Sequence, residues 1–296
     1  MEVTILGTNG FLSTAVAKYC NSNGYPLHVL GLDKPTAHTY ESFERIDLVK
    51  DDLNVDTIAK SDIIIYAIGA GIQSNLHEGS DLIYNLNVTA PVHICNTLKS
   101  YGYKGVFVTF GSVFEMGETH EERLFTEEDI QTSLSIAPND YTVSKRMLTR
   151  FIGSYKHEYT HWHFIIPTIY GEGENPKRLI PYTINAIRSG EELHFTAGEQ
   201  TRQYVYVGEV PKIIDLAFQK GIPSGLYNIQ GEETLTVKKL VSLVHKVMGK
   251  NVPKGCFGTA SRADVGMRFL ALDGSKLKAA TGFEANVKIE DVIKRY

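Results

Sequence analysis

The chain has 296 residues, 43% of them hydrophobic, enough apolar material for one large core with a smaller unit attached. A net charge of −4 with dispersed basic residues excludes a nucleic-acid footprint, and no apolar run reaches bilayer-spanning length, so neither partner is expected. Met1 starts no leader-like segment, and Cys20, Cys95 and Cys256 stand far apart, which predicts reduced thiols and a cytoplasmic location.

The first predicted element is a strand over residues 3–6, turning through Gly7-Thr8-Asn9-Gly10-Phe11-Leu12-Ser13 into a helix over 11–21. A glycine turn between strand and helix lets backbone approach a pyrophosphate, with free N–H groups of the helix N-terminus facing the negative charge. A second strand over 27–32 ends in Asp33. A carboxylate there accepts hydrogen bonds from the adenosine ribose and repels a 2′-phosphate, favouring NAD; the adjacent Lys34 leaves NADP open. Asp47-Leu48, after a third strand, is placed either to reach the adenine or to form a turn.

The fourth strand, 63–68, passes through Ala67-Ile68 into Gly69-Ala70-Gly71, where small residues suit close passage of cofactor or backbone. Asn87 falls in the next predicted helix, 81–99, as a candidate cofactor contact that braces the catalytic loop, or as a plain polar residue. A fifth strand, 106–110, runs into Gly111-Ser112, so its hydroxyl stands at the crevice edge of a parallel sheet. The helix over 138–159 carries Tyr141 and Lys145 four residues apart on one face, where an ammonium lowers the pKa of a neighbouring phenol. The sixth strand, 162–166, overlaps His161-x-His163, two imidazoles on one strand face; no neighbouring Cys or carboxylate in sequence completes a set, so no metal is expected.

Apolar strands alternating with helices predict an α/β fold with a doubly wound parallel sheet. Beyond Pro167 the pattern shortens: a helix over 178–190, a strand over 204–207 and a helix over 237–249. This predicts a nucleotide-binding domain over 1–166 and a smaller α/β substrate domain over 167–296, with the chain crossing back around 203–221.

Glycine turn, strand-end Asp33, strand-end Ser112 and Tyr141-x-x-x-Lys145, in this order, resemble the extended short-chain dehydrogenase/reductases. Within them the chain is most similar to the NAD-dependent epimerase/dehydratase family, which acts on nucleotide sugars. The family's third glycine corresponds to Ser13, its Val-Tyr-Gly after the hydroxyl to Glu115-Met116-Gly117, and its Asn-Val-Tyr-Gly to Thr168-Ile169-Tyr170-Gly171. The resemblance implies a Rossmann sheet and NAD as cofactor, with Pro167 and Ile169 beside it. It implies Ser112, Tyr141 and Lys145 as catalytic residues. It also implies Ser112, Glu115, Thr168, Arg178, Leu179, Arg202 and Arg262 on the substrate side, the arginines gripping a diphosphate. Glu115 is open at this point to a sugar-facing or a solvent-facing position.

Dehydratase relatives place Asp-Glu directly after the catalytic hydroxyl, where this chain has Val113 and Phe114. The C-terminal stretches 179–181, 198–202 and 262–283 resemble nucleotide-sugar 4-ketoreductases, which implies reduction at sugar C4. A 4-epimerase with tightly held NAD is the alternative, and a non-catalytic nucleotide sensor the second. Family members pair through the helices at 81–99 and 138–159, which implies a homodimer.

Overall fold

A computed structural model describes residues 1–72, 76–260 and 266–296. Seven strands form one sheet: β1 (Val3–Leu6), β2 (Leu27–Gly31), β3 (Ser42–Arg45), β4 (Ile63–Tyr66), β5 (Val106–Ser112), β6 (Thr160–Ile166) and β9 (Gly225–Asn228). They lie in the order β3-β2-β1-β4-β5-β6-β9, all parallel, which is the doubly wound arrangement with one strand added at the β6 edge.

The strands read as continuous apolar runs because both sheet faces are covered. On one face Val3, Ile5, Val29, Ile63, Ile65, Val108 and Trp162 pack under α1 (Phe11–Ser22) and α8 (Glu209–Lys220). On the other, Leu6, Leu30, Ile64, Tyr66 and Phe107 pack under α4 (Ala90–Tyr101). The chain thus returns to the first sheet through α8 and β9, after leaving it at β6.

A second sheet centres on β8 (Thr201–Tyr206), flanked by antiparallel β10 (Glu233–Thr236) and by parallel β7 (Thr168–Tyr170) and β11 (Phe269–Leu270). Helices α7 (Leu179–Ser189), α9 (Val237–Val247) and α11 (Ile289–Ile293) pack against it through Ile180, Ile184, Leu240, Val244 and Val292.

One predicted helix is not continuous. Residues 81–99 divide into α3 (Ser80–Tyr84), a π-helical turn at Asn85–Thr89 and α4. Pro91 explains the widening: it has no N–H for the Asn87 carbonyl, and its ring crowds that oxygen. The turn also carries the Asn87 side chain toward the backbone of Ala70. The predicted helix at 138–159 shortens to α6 (Asp140–Ser154), capped by Asn139, whose Oδ1 accepts from the Thr142 N–H at 2.9 Å.

Candidate active site

Ser112 is the last residue of β5, and Tyr141 and Lys145 occupy the first two turns of α6, which packs beside that strand. The Ser112 hydroxyl hydrogen-bonds the Tyr141 phenol. The Lys145 Nζ lies 6.0 Å from the centre of the tyrosine ring and donates to the Phe110 carbonyl at 2.9 Å. The three predicted catalytic side chains therefore converge at the end of β5. Lys145 does not lower the phenol as expected, because burial dominates. Desolvation pushes Tyr141 up to about 12, against the opposing bond from Ser112, and brings Lys145 down to about 8.

The turn around Ser112 is held from behind. Ser112 caps the short 3-10 turn Val113–Met116: its Oγ accepts from the Phe114 N–H, and its own N–H donates to the Glu115 carboxylate at 2.7 Å. Glu115 is fully buried, so it faces neither a sugar nor solvent, and its candidate substrate role is corrected to one inside the protein. Arg146 completes this support. Its guanidinium donates to the carbonyls of Glu115, Met116 and Ser135, tying the turn to the loop before α6. The residue follows Lys145 directly, yet nothing in its sequence context distinguishes it from a surface arginine.

Asn87 is also fully buried and braces instead of touching a ligand. Its side chain exchanges hydrogen bonds with both backbone groups of Ala70 and donates to the Ser144 hydroxyl at 2.9 Å. The candidate cofactor contact is thus replaced by a link between the Gly69-Ala70-Gly71 loop and the catalytic helix. A Cβ on Gly69 would stand 4.0 Å from the Lys145 Nζ, so the loop passes close to the trio. Asp47 forms a turn: its carboxylate accepts from the Val49 N–H at 3.1 Å and pairs with Lys50, which holds it below the usual carboxylate range. Leu48 packs partly buried on the α4 face.

At the other end of the crevice, Gly7 has φ of 110°, a backbone region that side chains avoid, and a Cβ there would press on Ala67 and Ile68. Ser13, in place of the third glycine, is buried and donates to the Gly10 carbonyl at 3.0 Å. Asp33 and Lys34 are exposed beyond β2. The Asn9 side chain clips their loop, donating to the Lys34 carbonyl at 3.1 Å and accepting from the Thr36 N–H. Its amide is therefore spent on the loop.

Leu12 packs partly buried against the first core. Phe11 stands at the head of α1 with the Arg178 guanidinium 6.0 Å from its ring centre. Arg178 pairs with Glu174 at 3.2 Å, and its charge acts on the Tyr141 phenol, so it bridges the glycine turn and the trio. Arg202 lies 5.9 Å from the Phe114 ring. Thr168 opens β7 with a buried Oγ1 that has no partner, beside Pro167 and Ile169. Leu179 opens α7 and packs partly buried against the second core, and Arg262 lies outside the described residues.

A family model described as the NAD dependent epimerase/dehydratase family matches residues 3–229. The chain belongs to this NAD-dependent enzyme family. It is 21% identical to CDP-abequose synthase of Salmonella muenchen over 305 residues, 99% of this chain and 96% of that protein. It is 22% identical to dTDP-D-glucose 4,6-dehydratase of Dictyostelium discoideum over 256 residues, 77% of this chain. That alignment spans 58% of the dehydratase's own length. MoeE5, solved in complex with UDP-glucuronic acid and NAD, superposes with a TM-score of 0.81 and 19% identity over 99% of this chain and 97% of that one, a likeness of fold.

This epimerase/dehydratase-family chain fits a dinucleotide on its own geometry. Helix α1 has no side-chain cap and no acid in its first turn, so its leading N–H groups are left for an anion. The crowded Gly7 turn points the same way. Among the described residues no helix is long and apolar enough to cross a membrane, and no group of three His, Cys, Asp or Glu side chains is set to hold a metal ion.

Proposed function

We propose that this protein reduces the ketone at C4 of a nucleotide-linked 4-keto-6-deoxyhexose. One observation supports this reading: Tyr141 stands beside Ser112 and Lys145 at the end of β5, and burial there favours its protonated form. A reductase needs that acid at the carbonyl oxygen as it becomes a hydroxyl. Bound NADH or NADPH would supply the hydride. Ser112 shares its hydroxyl between the phenol and the sugar oxygen, steadying the geometry of proton transfer. Lys145, fixed by the Phe110 carbonyl, holds positive charge beside the phenol and is the residue to hold the cofactor's nicotinamide ribose.

Arg178 and Arg202, with Thr168, would meet the sugar nucleotide, the guanidiniums on its diphosphate. Val113 and Phe114 offer no acid/base pair after the hydroxyl, which weighs against dehydration. In the cytoplasm the protein would act as a homodimer paired through α4 and α6, whose Tyr101 and Met147 are exposed. Light scattering that gives the monomer mass at micromolar concentration would overturn the pairing.

The reaction is tested by incubating the protein with nucleotide sugars and nucleotide 4-keto-6-deoxy sugars, with NADH or NADPH, and following the reduced nicotinamide's absorbance. Stoichiometric loss of reduced cofactor with the keto sugars is the expected result. Isomerised sugar without cofactor loss would establish the 4-epimerase instead.

A further inference from the structure

The loop between β7 and α7, residues 171–178, keeps a carboxyl group out of water. The Glu174 side chain is 2% exposed, although its neighbour Glu172 reaches solvent. An acid buried to that degree is unfavourable unless donors and cations meet its oxygens. Here Oε1 accepts from the Tyr296 phenol, and Oε2 pairs with Nε of Arg178 at 3.2 Å. The phenol is saturated in turn, since it also accepts the Gly171 N–H at 2.9 Å. The Glu174 N–H returns to the Gly171 carbonyl at 3.2 Å. One hydroxyl thus closes the loop, tying its first residue to the acid that meets its last.

Tyr296 reaches the loop from beyond α11. Its ring packs partly buried in the core of the second sheet, and Arg188, near the end of α7, donates to its backbone oxygen at 2.9 Å. Two further ties hold the same segments together. The Tyr170 hydroxyl, at the end of β7, donates to the Val287 carbonyl at 2.9 Å, and Arg295 pairs with Glu172 at 3.7 Å. The exposed ion pair contributes little, whereas Tyr170 is buried and its bond is shielded from water. The segment around α11 therefore sets where the loop lies.

Arg178 carries that placement into the cleft. Glu174 takes the Nε edge, and among the described residues nothing hydrogen-bonds either Nη. The guanidinium stands 6.0 Å from the Phe11 ring centre and acts on the Tyr141 phenol, so it lies between the head of α1 and the trio. An arginine on a flexible stem loses rotamer freedom when it grips a ligand, and one already held by a carboxylate loses less. The same carboxylate offsets part of the cation's attraction for an anion. Orientation and charge therefore act in opposite directions on binding.

We propose that Tyr296 and Glu174 are positioning residues for the sugar nucleotide, holding Arg178 so that its Nη edge is left for the substrate's diphosphate. The proposal rests on the substrate-side reading of Arg178 given above. Orientation outweighs charge in this arrangement, because Glu174 engages a part of the guanidinium that a two-pronged grip through both Nη groups does not need. Tyr296 acts only through Glu174, by fixing the carboxyl group against Gly171.

The test is calorimetric titration of the NADH-loaded protein with UDP, CDP, GDP and dTDP. At least one should bind the wild type, and Arg178→Met should weaken it about thirtyfold, the effect of losing charge-assisted hydrogen bonds. Tyr296→Phe keeps the ring and should weaken it about fivefold, the effect of one neutral hydrogen bond. In the Arg178→Met background the same change should do nothing further, whereas a purely structural tyrosine would add its loss. Glu174→Gln still offers an oxygen to Tyr296 but no charge to Arg178, and it should weaken binding as well. NADH affinity, which reports a folded protein, should match the wild type throughout. In turnover, Tyr296→Phe should raise KM for the keto sugar and move kcat less. Additive losses, tighter binding by Glu174→Gln, or a loss that falls on NADH instead would overturn the positioning pair. A wild type that binds no nucleoside diphosphate would remove Arg178 from the substrate and the proposal with it. If the double-mutant result holds while no keto sugar is reduced, the reductase reading fails and the positioning pair stands.

Discussion

On the proposed cleft side of β5 the polar side chains keep spare valence: Tyr141 and Ser112 share a bond, Arg178 pairs with Glu174, and the Thr168 Oγ1 has no partner. On the inner side of the same strand end, nearly every polar group is saturated. Arg146 meets three carbonyls, Asn87 both backbone groups of Ala70, and the two imidazoles of β6 share Thr109. The difference separates two demands on one strand terminus. Groups that must exchange protons with a substrate need spare valence, whereas groups that fix their positions need none. A substitution on the cleft side should therefore remove turnover and spare stability, and one on the inner side should do the reverse.

The largest expected effect tests the first half. Tyr141→Phe keeps the ring and its packing and removes the proton donor, so turnover should fall about a hundredfold or more, the cost of a lost general acid. Its thermal midpoint should stay near that of the wild type. A Phe variant with full activity would mean that the phenol is not the donor. The second test crosses to the inner side. Arg146→Met retains the aliphatic stem and strands the carbonyls of Glu115 and Met116, which should lower unfolding stability by ~2 kcal/mol in denaturant titration. A variant as stable as wild type, with the same loss of turnover as Tyr141→Phe, would erase the distinction between the two sides.

The same distinction governs what could be read from the chain. The parallel strands were legible because a short continuous apolar run between turn residues fits a strand covered on both faces. The trio was legible because Tyr141 and Lys145 follow a strand-end Ser112 in order. The inner side was not. Arg146 and Glu115 are charged residues, and a charged residue in sequence reads as surface until its partners are known. Those partners come from residues as distant as Ser135, which no local pattern ties to a turn at 112–116. His161 and His163 showed their shared strand face but not Thr109 between them. The break at Asn85–Thr89 was signalled by Pro91, although the side chain it redirects, Asn87, looked like a ligand contact.

Asp33 offers the smallest and most specific test, at the end of the crevice farthest from the trio. Its carboxylate is exposed just past β2, and its loop is clipped to the glycine turn by Asn9, so its position is held by backbone contacts it does not itself make. Asp33→Ala should then leave fold and turnover chemistry alone and act only on which dinucleotide binds. Loss of the ribose contact should weaken NADH about tenfold, one charge-assisted hydrogen bond's worth. NADPH should be weakened less or gain, because the 2′-phosphate no longer meets a carboxylate and Lys34 remains beside it. Fluorescence titration of both cofactors against wild type and variant reads the ratio directly. An unchanged ratio would remove Asp33 from the ribose and leave Lys34 as the only charge on that loop able to distinguish the two cofactors.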